Sequence, residues 1–184
     1  MNTHFFFALV LPDSIKRHLH TQTDELKSTF PFKKWLHPAD YHITMAFLGN
    51  AEATMKEEAL ELIKHSLANE QAFELDIDGI DVFGKKESPR ILWAGVKQEE
   101  RLNAIQKKIY ESCKQAGFEL DKKPFKPHIT LARKFEGEPT FSINKVRQLV
   151  NPEEKRFQAS QIALYQTHLG ASPSYEPVYT INLK

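Results

Sequence analysis

Two four-residue strings, His42-Ile43-Thr44-Met45 and His128-Ile129-Thr130-Leu131, share one pattern: His-x-Thr-x, with apolar residues at each x. In an extended strand alternate side chains point the same way. Each string therefore puts its imidazole and hydroxyl on one face and its two apolar side chains on the other. Two such strands set side by side would collect two histidines and two threonines in one cleft. Imidazoles titrating near neutrality can there divide acid and base work between them.

The surrounding pattern supports such a pairing. Phe5 to Leu11 reads as a buried strand ended by Pro12, and a helix capped at Asp13 or Ser14 runs to about Ser28. Pro31 to Pro38 reads as a loop. Tyr41 to Leu48 alternates sharply and stops at Gly49-Asn50, and Ala53 to Leu67 has helical spacing. Phe73 to Phe83 alternates with a bend or bulge at Gly79, Gly84 to Pro89 is a polar turn, and Ile91 to Val96 is a strand. Glu99 to Ala116 is an amphipathic helix with Gly117 as its C-cap. The second motif lies on a strand reaching about Lys134, Val146 to Val150 is weakly helical, and Phe157 to Thr167 and Val178 to Leu183 complete the strands. Each motif falls on the strand after a helix, in the same element order. The expected fold is α+β, with two pseudo-symmetric lobes, each an antiparallel sheet with helices packed outside, facing across a central cleft. Residues 1–184 are expected to form one bilobal domain.

Composition removes competing readings. With 41% hydrophobic and 27% charged residues, the 184-residue chain has the makeup of a globular protein. The apolar run Phe5 to Leu11 is too short to span a bilayer and lacks the flanks of a signal peptide, so no membrane association is expected. A single cysteine, Cys113, excludes an internal disulfide and a cysteine zinc site, and a free thiol suits a reducing cytoplasm. The eight histidines show no His-x3-His or His-Glu-x-x-His spacing, so no metal and no cofactor is expected. A net charge of +1 gives no global attraction for nucleic acid, so phosphate binding must come from a local cluster.

Two imidazoles facing one substrate suit in-line displacement at phosphorus. One takes a proton from attacking water while the other gives one to the departing oxygen. Hydroxyls and cationic groups can hold the non-bridging oxygens without a metal, and Thr44 and Thr130 are placed for that. Spacing alone does not say which histidine is the acid. Arg133 is the nearest cation, but it follows Thr130 by three residues. Strict alternation turns it away from His128 unless the strand bulges, twists or ends near Ala132. A structural ion pair is the alternative reading of Arg133.

The strings and their flanks, His42-Ile43-Thr44-Met45-Ala46-Phe47-Leu48-Gly49 and Pro127-His128-Ile129-Thr130-Leu131-Ala132-Arg133, resemble those of the 2H phosphoesterase superfamily. They are most similar to its bacterial and archaeal RNA 2′,3′-cyclic phosphodiesterase branch, also called the 2′-5′ RNA ligase or LigT-like family. The opening Phe5 to Pro12, Trp35, and Arg90 to Gly95 add to the likeness. The resemblance implies a metal-independent hydrolase that opens a 2′,3′-cyclic phosphate at an RNA end to leave a 2′-phosphate. It implies His42 as proton donor to the leaving 3′ oxygen, His128 as proton acceptor from water, and Thr44, Thr130 and Arg133 as phosphate holders. One departure is Thr3-His4, where that branch commonly carries an arginine before the first strand.

An RNA end also offers bases to stack on. Phe7, Trp35 and Lys126 are the further substrate-binding candidates, although Trp35 suits a core or loop anchor better than a base platform. The expected partners are RNA ends or nucleotides bearing a 2′,3′-cyclic phosphate, and the protein is expected to act as a monomer. The alternatives are the same chemistry on another cyclic nucleotide or a 2′-5′ linked oligonucleotide, or a non-catalytic module that binds nucleotides or RNA ends.

Overall fold

The computed structural model describes residues 3–138, 140–150 and 155–184. Among these residues nine strands form one antiparallel sheet: β1 (His4–Val10), β2 (Phe32–Trp35), β3 (His42–Asn50), β4 (Phe73–Lys85), β5 (Ser88–Val96), β6 (Ile129–Phe135), β7 (Lys155–Ala159), β8 (Gln161–Thr167) and β9 (Tyr175–Asn182). Four helices accompany them: α1 (Asp13–Lys27), α2 (Ala53–Leu67), α3 (Glu100–Gln115) and α4 (Ile143–Leu149), with a 3₁₀ turn at Pro38–Asp40. The strand order is β7-β4-β5-β6-β3-β1-β8-β9, with β2 added against β6.

That order is symmetric about the β6–β3 seam. β1-α1-β3 in one lobe matches β5-α3-β6 in the other, each an antiparallel pair joined through a helix. A later strand of each half then crosses over: β4 pairs with β5, and β8, which follows β7, pairs with β1. Each lobe thus contains a strand from the other half of the sequence. At the seam itself the ladder is reduced to one bridging pair, Ile43 with Ile129.

Alternation sorts the two faces. On β1, Phe5, Phe7 and Leu9 enter a single large core with Ile43, Ile77, Leu92, Ile129 and the buried sides of the helices. Burying each such side chain contributes about 1.5–3 kcal/mol. The α1 stripe of Ile15, Leu19 and Leu26 and the α3 stripe of Leu102, Ile105, Ile109 and Cys113 complete that layer. Pro12, rather than Asp13 or Ser14, occupies the α1 cap, and Asp13 lies in the first turn, where its carboxylate faces the positive helix end. Gly117 ends α3 at φ +103°, a left-handed conformation that glycine adopts without steric cost.

Two segments depart from the sequence reading. Phe32–Trp35, read as loop, pairs with β6, because its polar lysines alternate with Phe32 and Trp35 over too few residues to show a period. Phe157 to Thr167 is two strands rather than one. The chain breaks at Ser160, and β7 adds to β4 while β8 adds to β1, toward opposite ends of the sheet. The expected bulge at Gly79 is present: the pairs Ile77–Val96 and Ile80–Ala94 leave one extra residue on β4.

Candidate active site

The single bridge between Ile43 and Ile129 fixes the register of the two motifs. Continuing it one residue each way sets His42 beside Thr130 and Thr44 beside His128, on the face away from the core. His42 and Thr130 are buried, while His128 stands just before β6 and is partly open. The four motif side chains therefore meet at the seam, contributed equally by the two lobes.

Main-chain carbonyls fix both rings. His42 Nδ1 lies 2.7 Å from the carbonyl oxygen of Asp40, and His128 Nδ1 lies 2.7 Å from that of Lys126. A carbonyl only accepts, so each Nδ1 carries the proton and each Nε2 is left to exchange one. His42 Nε2 sits 2.9 Å from Thr44 Oγ1, the i, i+2 contact that strand geometry allows. Behind His42 lies an aromatic floor. Phe6 is tilted against its ring at 4.8 Å, and Tyr175 meets it edge-on at 5.3 Å. Phe83 meets the His128 ring edge-on at 4.8 Å, with Trp93 at 6.0 Å.

This setting disfavours charged imidazoles. Burial, opposed by the Asp40 carbonyl and reinforced by the charges of Arg133, His128 and Lys16, pushes His42 down to about 4. Burial likewise lowers His128, opposed by the Lys126 carbonyl and helped by Arg133 and Lys126. Burial, then the nearby Asp40 charge, pushes the Tyr165 hydroxyl up to about 12, so it stays protonated beneath the site.

Arg133 faces the cleft because β6 bulges. Thr130 pairs with Trp93 and Ala132 with Leu92, which are adjacent on β5, so Leu131 is the extra residue. Three steps from Thr130 to Arg133 on β6 match two steps from Trp93 to Ile91 on β5. Arg133 thus shares a face with Thr130, and among the described residues it forms no ion pair. The same device occurs in the other motif. Ala8 pairs with Thr44 and Phe7 with Ala46, leaving Met45 as the extra residue on β3.

The remaining candidates are placed differently. Phe7 does not line the cleft: it is wholly buried on the core face, and its neighbour Phe6 takes the place beside His42. Period-two alternation implies that only one of the two faces the site, but not which. Trp35 pairs with Ala132 and packs against the core and Phe32, so it anchors β2 rather than presenting a stacking surface. Lys126 is at the exposed rim with Nζ 5.4 Å from the centre of the Phe83 ring, while its carbonyl orients His128. Sequence reasoning missed Asp40, Phe6, Tyr165, Tyr175, Phe83 and Trp93. Asp40 ends the 3₁₀ turn just before β3 and reaches His42 through its main-chain carbonyl, which no side-chain pattern reveals. The aromatics come from strands whose partners the sequence does not name.

Fold and cleft define an α+β protein of two intertwined lobes that presents a paired His-x-Thr-x site. A family model, 2'-5' RNA ligase superfamily, matches residues 11–171, and the chain belongs to that superfamily. The RNA 2',3'-cyclic phosphodiesterase of Bacillus subtilis (strain 168) is 32% identical over 180 residues, 98% of this chain and 96% of the relative. That of Geobacillus stearothermophilus is 37% identical over 176 residues, 96% of this chain, which spans only 56% of that relative's length. Among solved structures, E. coli LigT complexed with 3'-AMP superposes with a TM-score of 0.79 at 21% identity, covering 100% of this chain and 99% of the other. TT0787 of Thermus thermophilus gives 0.76 at 22% identity, covering 98% and 97%. The fold is therefore that of LigT, the antiparallel two-lobed α+β arrangement expected from the sequence.

Proposed function

We infer that the chain is an RNA 2′,3′-cyclic phosphodiesterase using two histidines and no metal. The observation that carries this reading is the matched pair of imidazoles, each with Nδ1–H donated to a main-chain carbonyl and each leaving Nε2 for proton exchange. Water attacks phosphorus as His128 Nε2 removes its proton. The bond from phosphorus to O3′ breaks, and the proton on His42 Nε2 passes to that oxygen. The product is a 2′-phosphate and a free 3′-hydroxyl. Arg133 and the Thr44 and Thr130 hydroxyls hold the non-bridging oxygens, supplying the positive field that a metal would otherwise supply. His42 must be charged for its part. An anionic phosphate in the cleft offsets the Arg133 charge and favours the imidazolium, so substrate binding itself arms the acid.

Both motifs come from one chain, which supports a monomer acting as a single bilobal unit of residues 1–184. Cys113, buried with its thiol pushed up to about 12, has no disulfide partner, in keeping with a reducing cytoplasm. No helix among the described residues is long and apolar enough to cross a membrane.

The test is hydrolysis of an RNA ending in a 2′,3′-cyclic phosphate, with and without excess chelator. Full activity in chelator, a 2′-phosphate product, and a loss of about 10²–10⁴-fold in His42→Ala and His128→Ala are expected. A 3′-phosphate product would exchange which oxygen leaves and overturn the donor and acceptor assignment. Tight binding with no product would leave a binding module instead.

A further inference from the structure

The bulge at Met45 does for Phe47 what the bulge at Leu131 does for Arg133. Phe47 pairs with Phe6, and Thr44 with Ala8, so Phe47 stands on the cleft face two strand steps beyond Thr44. The pseudo-twofold thus sets an arginine on one side of the paired motifs and a phenylalanine at the equivalent place on the other. Phe47 is 54% exposed, against 8% or less for the core phenylalanines around it. Leaving so large a ring in water is unfavourable unless something covers it.

A groove of about 650 Å³ runs from Thr44 and His128 to Phe47, along the side of β3 that β6 leaves unpaired after Ile43. Its other walls include Tyr110 of α3 and Phe125. In place of a neighbouring strand, Gln106 Nε2 donates to the Met45 carbonyl at 3.1 Å. The groove is within the size range of small-molecule sites, about 300–1,000 Å³. Its charged lining residues are Glu119, Asp121, Lys123 and Lys126, which balance in sign, and Lys123 lies against Asp121, with its amide donating to the carboxylate at 3.0 Å and Nζ 3.9 Å away.

We propose that this groove receives the RNA strand on the 5′ side of the terminal nucleotide, with upstream bases stacking on Phe47 and Phe125. The inference rests on the phosphodiesterase reading of the site. It follows from the groove's continuity with the two motif residues at its mouth, from the exposed ring of Phe47 with the half-buried ring of Phe125 lining the same groove, and from walls whose charges balance. Bases stack on such rings without regard to sequence, whereas a groove built to follow phosphates would carry an excess of cations over carboxylates. Arg133, across the seam, holds the reacting phosphate. The pseudo-symmetric positions have thereby divided, one taking the anion and the other the base.

The experiment compares kcat/KM for a nucleoside 2′,3′-cyclic phosphate with di- and trinucleotides ending in the same cyclic nucleotide. In the unaltered protein the trinucleotide should exceed the mononucleotide by about tenfold or more, as expected for one or two stacked bases. The ratio should change little between about 50 and about 200 mM salt, since stacking rather than ion release provides it. Phe47→Ala and Phe125→Ala should bring the ratio toward one. No length advantage, or equal losses by both variants on all three substrates, would overturn the proposal; equal losses would put the terminal base on the rings. Calorimetry with 2′-phosphate-ended mono- and trinucleotides separates the two inferences. Length-dependent binding that Phe47→Ala abolishes, with no hydrolysis of any cyclic substrate, would remove the phosphodiesterase reading and keep the groove. Hydrolysis with no length dependence would do the reverse.

Discussion

Asp40 holds His42 from two directions. Its carbonyl oxygen takes the ring's Nδ1–H at 2.7 Å. Its carboxylate, only 3% exposed, accepts the Ser174 amide at 2.8 Å and the Tyr175 amide at 3.0 Å. Tyr175 in turn lies edge-on against His42 and Phe6. One residue thus joins the ring, the end of the β8–β9 connection and the aromatic floor.

The bond to the ring is made by the main chain, so a substitution at Asp40 spares the tautomer and tests the turn alone. Asp40→Ala leaves two amides at that turn without their acceptor and should lower stability by about 2 kcal/mol or more. It should also lower kcat by about tenfold, as Tyr175 loosens against His42. Asp40→Asn keeps one carbonyl acceptor and should recover part of both losses. Denaturant unfolding and single-turnover rates check this. A full stability loss with unchanged kcat and unchanged His42 titration would confine Asp40 to holding the turn.

Arg133 acts on both imidazoles, and its charge and its shape can be separated. Removing the charge in Arg133→Gln relieves a cation that lowers both rings, so both should titrate at higher pH in the unliganded protein. The same change should cost about 10²–10³-fold in kcat/KM through lost phosphate stabilisation. Arg133→Lys keeps the charge but not the planar fork, so it should leave both titrations low while recovering only part of the activity. Imidazole NMR titration, read beside the rates, decides. Unmoved titrations in Arg133→Gln would place the guanidinium too far from the rings to hold substrate between them.

Much of this geometry follows from alternation, and the parts that do not share one cause. His42 with Thr44 and His128 with Thr130 are legible because each pair is two residues apart on a strong strand pattern. Arg133 is illegible on that rule. The inserted Leu131 is recognised only against the β5 partner, where Trp93 and Leu92 are adjacent but Thr130 and Ala132 are not. Phe7 and Phe6 show the same limit from the other side: the period is plain, but its phase depends on which face meets α1 and the core. The break at Ser160 is likewise set by tertiary partners, because Phe157 joins β4 and Ile162 joins β1. Local pattern names strands. Pairing decides their bulges and phases, and here these place the cation and the exposed ring.

Burial of His42 also makes the fold sensitive to acid, with a definite sign. Its folded value is about 4, below the 6.5 of the free ring. Above pH 6.5 the ring is neutral in both states and contributes no pH dependence. As pH falls from 6.5 toward 4, the unfolded chain takes up a proton that the folded protein refuses. Stability should therefore decline across that window by up to about 3 kcal/mol, then level off for this group. His128, also lowered by burial, adds in the same direction. Urea unfolding at about pH 7, 5.5 and 4.5 should show the decline, and His42→Asn should have a shallower slope whatever its absolute stability. Saturating nucleoside 2′-phosphate should flatten the slope of the unaltered protein too, because a bound anion favours the imidazolium and raises the folded value. Equal slopes in the unaltered protein and His42→Asn would show that the ring is not held neutral, and the arming of the acid by substrate would fall with it.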